Sequence, residues 1–149
     1  MKNRVRPTFE TTLLVRDTCL CLHAQRAARA IARRFDIALK PVELTSGQFS
    51  LLMSLNRPRP ASLAAVAALL GMDRTTVTAN LKPLERQRLV ATEIDVEDGR
   101  VRLLRLTGAG QARLARAVPI WRCVQAEIET ALSHPDRLRA DLNRLSASG

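Results

Sequence analysis

The chain has 149 residues, a formal net charge of +10 and a pI near 11.3, enough length for one domain with helical extensions and a real core. Such charge points to a polyanionic partner, nucleic acid above others, and says nothing of the fold. No run approaches the ~18 apolar residues of a membrane span, and the absence of Tyr, with one Trp and three Phe, argues against single-strand and RNA binders that stack bases on aromatic rings.

In chain order, residues 1–11 read as a basic, irregular, mobile arm. From about Thr12 to Leu39 the residues Cys21, Ala24, Ala28, Ile31 and Phe35 recur at steps of three and four, predicting the inner face of one long helix that Pro41 ends. Thr45 and Gln48 form a capping box for a second helix, with Phe49, Leu52, Met53 and Leu55 inward. Arg57-Pro58-Arg59-Pro60 cannot continue it. Ser62 caps a third helix, Leu63 to Leu70, which Gly71 closes.

Asp73 caps a fourth helix with a buried stripe of Val77, Leu81 and Leu84 and an outer face of Arg74, Thr75, Thr78, Ala79, Lys82 and Arg86. Pro83 sits past its first turn, where it removes a hydrogen bond and bends the helix or costs about 3 kcal/mol. Leu89–Ile94 and Val101–Leu106 alternate as strands around an Asp-Gly turn. Thr107 caps a long helix to about Leu132, bent near Pro119; His134-Pro135 separates it from a last helix, Asp136–Leu145. Helix, turn, polar-faced helix and hairpin, in that order, make a winged helix-turn-helix.

The fold expected is therefore mainly α with a small β-hairpin wing. An N-terminal dimerisation helix spans 12–40, the winged reading head 41–106, and C-terminal dimerisation helices 107–146, intertwined as one domain. The terminal helices have no partner surface in so small a head, which predicts a homodimer.

The resemblance is specific at Leu44-Thr45 with Gln48-Phe49, Leu63-Ala64, Asp73-Arg74 with Thr76-Val77-Thr78, Leu84-Glu85 and Leu89-Val90. It continues through Asp95, Asp98 and Arg100 to Leu106-Thr107 with Gly110, so it covers about residues 12–133. On these residues the chain resembles the multiple-antibiotic-resistance regulator (MarR) family. The resemblance implies a dimeric, ligand- or redox-responsive repressor of pseudo-palindromic duplex DNA, with an effector between dimer interface and head. Arg88 stands where the family usually has Gly, a left-handed position costing a non-Gly residue about 1 kcal/mol. Gly99 replaces the first of two wing arginines, leaving the grip to Arg100 and Arg102.

The DNA-contacting residues expected are Arg74, Thr75, Thr76, Thr78, Ala79, Lys82 and Arg86 on the helix and Arg100 and Arg102 on the wing. Arg74 suits a guanine edge, the threonines thymine methyls or phosphates, and Lys82 a phosphate. Asp98 would position Arg100 through a charge-assisted hydrogen bond. The bland reading of both surfaces is a solvated helix face and an exposed ion pair. Residues 1–40 hold nine basic and three acidic residues, against nine and six in 57–105, so attraction comes from the whole chain and specificity from a few placed side chains.

Three cysteines (Cys19, Cys21, Cys123) make no disulfide framework, and no apolar leader is evident, so a reducing cytoplasm is the expected compartment. Cys19, Cys21 and His23 do not share a helix face, and neither metal nor cofactor is expected. Cys21, Arg29 and Phe35 match the spacing of the family's hydroperoxide sensors, but Phe35 stands where those have Tyr. On an apolar stripe Cys21 would be unreactive core; a thiol-based redox repressor using Cys21 is the alternative. Arg26, Arg29 and Arg33 suit interface pairs, phosphates or an anionic effector, and Trp121 suits dimer core over effector stacking. An enzyme is not expected, since the chain offers two distant His, no phosphate loop and no paired carboxylates in an apolar setting. A winged fold kept only for protein docking is the remaining alternative.

Overall fold

A computed structural model describes residues 6–147. The described elements are α1 (Phe9–Thr18), α2 (Leu20–Leu39), a 3-10 turn (Lys40–Val42), α3 (Ser46–Ser54), β1 (Ala61–Ser62), α4 (Leu63–Leu70), α5 (Arg74–Arg86), β2 (Val90–Ile94), β3 (Arg102–Leu106), α6 (Gly108–Thr130) and α7 (Pro135–Ala147). The chain is mainly helical with a small antiparallel wing, as its pattern predicts.

Local chemistry sets most boundaries. The Thr45 hydroxyl accepts the Gln48 N–H while the Gln48 side chain accepts the Thr45 N–H, the reciprocal box that opens α3. Ser62 caps α4 through the Ala65 N–H, and Gly71, at φ +61°, closes it. Pro83 lies inside an unbroken α5, and α6 runs through Pro119.

The N-terminal reading needs correction. The first five residues of the expected arm lie outside the described residues, and helix begins at Phe9, capped by Thr8. The single long helix is two, because Cys19 leaves helical dihedrals (ψ +105°). The His23 ring nitrogen and backbone N–H both meet the Cys19 carbonyl, at 2.9 and 3.1 Å, which fixes the restart. Of the expected inner stripe only Phe35 is buried; Cys21, Ala24, Ala28 and Ile31 are exposed. In α3, Leu51 is buried and Met53 exposed, against the expected inward Met53.

The head packs α3, α4 and α5 around Leu51, Leu52, Val66, Val77 and Leu84, with Leu104 of the sheet closing the core. Strand order is β1-β3-β2, so the hairpin gains a third strand absent from the expected wing, pairing Ala61 with Leu104. Thr107 ties the wing base to α6. Its hydroxyl lies 2.7 Å from the Arg88 carbonyl and 3.1 Å from that of Leu89, and it accepts the Gly110 N–H. A Cβ at Gly110 would fall 2.1 Å from the Leu89 carbonyl oxygen, so only glycine allows this approach. Outside the head, α2 packs along α6, while no residue of α1 or α7 is buried.

Candidate nucleic-acid interface

The geometry of α5 begins at its cap. One Asp73 carboxylate oxygen accepts the Thr76 N–H and the other its hydroxyl, both at 2.8 Å. The backbone bond, then the hydroxyl, holds the Asp73 carboxyl below the usual carboxylate range. Arg74, Thr75, Ala79, Lys82 and Arg86 are exposed, and Thr78 is half-buried with its hydroxyl given to the Arg74 carbonyl. At about 100° per residue these six span an arc of roughly 140°, opposite Val77, Leu81 and Leu84. Thr76 lies outside that arc, and its hydroxyl hydrogen is committed to Asp73. It serves the cap in this geometry, with its side chain exposed beside that arc.

The wing tip is held by short polar turns. The Asp95 carboxylate accepts the Glu97 N–H at 2.8 Å, and Asp98 accepts the Arg100 N–H at 3.0 Å. Asp98 thus holds the Arg100 backbone and makes no bond to the Arg100 guanidinium among the described residues. Among the described residues no ion pair engages the Arg100 or Arg102 guanidinium, whereas Arg105 pairs with Glu93 across the strands. Of the basic side chains of the wing, two keep their charge open to solvent.

A cleft of about 330 Å³ between the start of α5 and the wing brings the two halves together. Arg74, Arg100 and Arg102 line it with Ser62, Leu63 and Ala64. Sequence reasoning identified the three arginines separately and missed Ser62 as a lining residue. The missing signal is the β1–β3 pairing, which carries the α4 cap alongside the wing.

Comparison with known proteins fits this architecture. The MarR family profile matches residues 42–101. The chain is 37% identical to the Mycobacterium tuberculosis transcriptional regulator MosR, solved in complex with DNA, with a TM-score of 0.80 over 87% of this chain and 95% of that one. The chain belongs to the MarR family. It is also similar to the transcriptional repressor CouR bound to a 23-mer DNA duplex, at 28% identity and a TM-score of 0.74 over 89% of this chain and 94% of that one. The Staphylococcus aureus MepR–DNA complex, at 20% identity and a TM-score of 0.75 over 87% and 98%, shares the fold. No curated protein matches the chain.

This MarR-family regulator has a second concavity, of about 600 Å³, where α3, α4 and α6 meet. Phe49, Met53, Leu69, Val118, Trp121 and Arg122 are among its lining. Trp121 stacks on Phe49 with ring centroids 6.3 Å apart, so it packs within its own chain and faces this space. The exposed Met53 was the missed signal: an apolar residue turned out of the core lines a cavity.

The cysteines also depart from expectation. Cys21 is exposed, and its sulfur accepts a hydrogen bond from Gln25, whose carbonyl oxygen accepts one from Arg29. Among the described residues no group of three or more His, Cys, Asp or Glu could hold a metal, and no helix is long and apolar enough to cross a membrane.

Proposed function

We propose that this chain is a cytoplasmic, homodimeric repressor that reads a pseudo-palindromic duplex and releases it when a small effector binds. The observation that carries the reading is the cleft where Arg74 of the helix meets Arg100 and Arg102 of the wing, three guanidiniums without acidic partners among the described residues. One helix in a major groove and one wing along the adjoining backbone or minor groove would use all three. The DNA complexes of MosR and CouR support the same use of this fold.

Two features support dimerisation and effector control. The chain exposes 11274 Å², against about 7,600 Å² for a self-contained protein of its mass. Neither α1 nor α7 buries a residue, and Leu138, Leu142 and Leu145 line one face of α7. The cavity beside Trp121 has the size and apolar lining of a small-molecule site, with Arg122 as a cation for an anionic group. An occupant would act by favouring one spacing of the two heads.

Selection from a random duplex library with the purified protein tests this. Enrichment of near-palindromes with half-sites one helical turn apart, ~34 Å, is expected. Absence of enrichment overturns it, as does binding that does not weaken with salt, the mark of a protein-docking module.

The exposure of Cys21 favours a second reading, regulation by hydroperoxide. The thiolate would attack the peroxide, taking one oxygen to become a sulfenic acid and releasing the alcohol. Equal, slow alkylation of wild type and Cys21→Ser, with no loss of DNA affinity in peroxide, would exclude it.

A further inference from the structure

Arg113 lies on α6, away from the cleft, and only 17% of its side chain is exposed. Its Nη1 donates to the Val42 carbonyl at 3.0 Å and to the Gln87 side-chain oxygen at 3.1 Å, with a Glu43 carboxylate oxygen at 3.3 Å. Those partners come from two separate chain reversals. Val42 and Glu43 end the helical run that enters the head, and Gln87 is the C-cap of α5. Glu43 and Arg88, at φ +55° and +57°, are the non-glycine residues with left-handed backbone among those described. Each adjoins an Arg113 contact. One guanidinium thus sits between the two strained turns that set the direction of α3 and the end of α5.

The Glu43 carboxylate is three-quarters exposed and adds little. The carbonyl and amide bonds define the joint: both are donated by Nη1, whose two N–H groups are held at fixed directions in the guanidinium plane. The same helix carries Val118 and Trp121 into the apolar cavity one to two turns later. Whatever moves α6 against α3 therefore pulls on this joint.

We infer that Arg113 is a positioning residue that fixes the angle of the recognition helix to the helical stalk, and through it the spacing of the two heads on DNA. The inference rests on the DNA-reading function proposed above. Loss of the joint should leave each head able to bind and the pair unable to hold one spacing.

The test compares wild type, Arg113→Ala, Arg113→Lys and Gln87→Ala on the selected duplex, on duplexes with one base pair added or removed between half-sites, and on a random-sequence duplex. Thermal unfolding reports on stability. Arg113→Ala should lower the ratio of selected to random affinity roughly tenfold, within the range of coupling carried by one contact network, and should flatten the spacing preference. Gln87→Ala, at an exposed cap whose side chain meets Arg113, should do the same more weakly, and Arg113→Lys should not restore the preference. If Arg113→Ala does not fold, Gln87→Ala decides alone. Variants that keep the wild-type ratio and spacing preference, whatever their melting temperatures, overturn the inference. A wild type that prefers no site overturns the DNA-reading function as well.

Discussion

Lys82 and Arg74 occupy the same exposed arc of α5, yet their positions assign them different work. Arg74 opens the helix beside Arg100 and Arg102, where a side chain can reach base edges. Lys82 lies two turns later as an exposed point charge. Arg74→Ala should relax sequence preference at one position of each half-site by about 1–3 kcal/mol. Lys82→Ala should weaken all sequences alike and reduce the salt slope by about one. Mobility shifts over a salt series, on selected and mismatched duplexes, separate the two. Arg88 carries a different load, its left-handed backbone. Arg88→Gly should raise stability by about 1 kcal/mol in urea unfolding with DNA affinity intact; a loss of stability would show that the Arg88 side chain offsets its strain.

At the scale of elements, caps and close approaches decide where structure begins. The Asp73 carboxyl is held low by the Thr76 N–H and hydroxyl, so its contribution is full above the usual carboxylate range and fades as acid carries the pH down through the lowered value. Asp73→Asn keeps a capping oxygen without a titrating charge. Its acid unfolding limb, followed by circular dichroism, should therefore be shallower than the wild type's. Gly110→Ala drives a methyl onto the Leu89 carbonyl oxygen and should cost about 1–3 kcal/mol by overpacking, measured by the same unfolding series. These elements were legible because caps are local: Thr45 with Gln48, Ser62, Asp73 and Thr107 announce themselves within four residues. The break at Cys19 was not, since a 3.6-residue period runs through one extended residue without losing phase. The third strand was hidden for another reason. Ala61 and Ser62 are too short to alternate, and their pairing with Leu103 and Leu104 is remote in sequence. The candidate site was legible residue by residue, but the meeting of Arg74 with the wing depends on that same remote pairing.

For the whole molecule, the exposed leucines of α7 and the surplus surface support the proposed dimer as the functional unit. Leu142→Asp should shift the protein toward monomer in analytical ultracentrifugation and lower affinity for the full palindrome far more than for a half-site. A dimer that survives, or equal losses on both duplexes, would place the interface elsewhere. The central claim is that two recognition helices and two basic wings engage one duplex together. Hydroxyl-radical footprinting of the selected duplex, with stoichiometry measured on the same complex, tests it most directly. Two chains per duplex are expected, with paired protections about one helical turn apart and flanked by wing contacts. A single chain per duplex, or one uninterrupted protected patch on one groove, would contradict it.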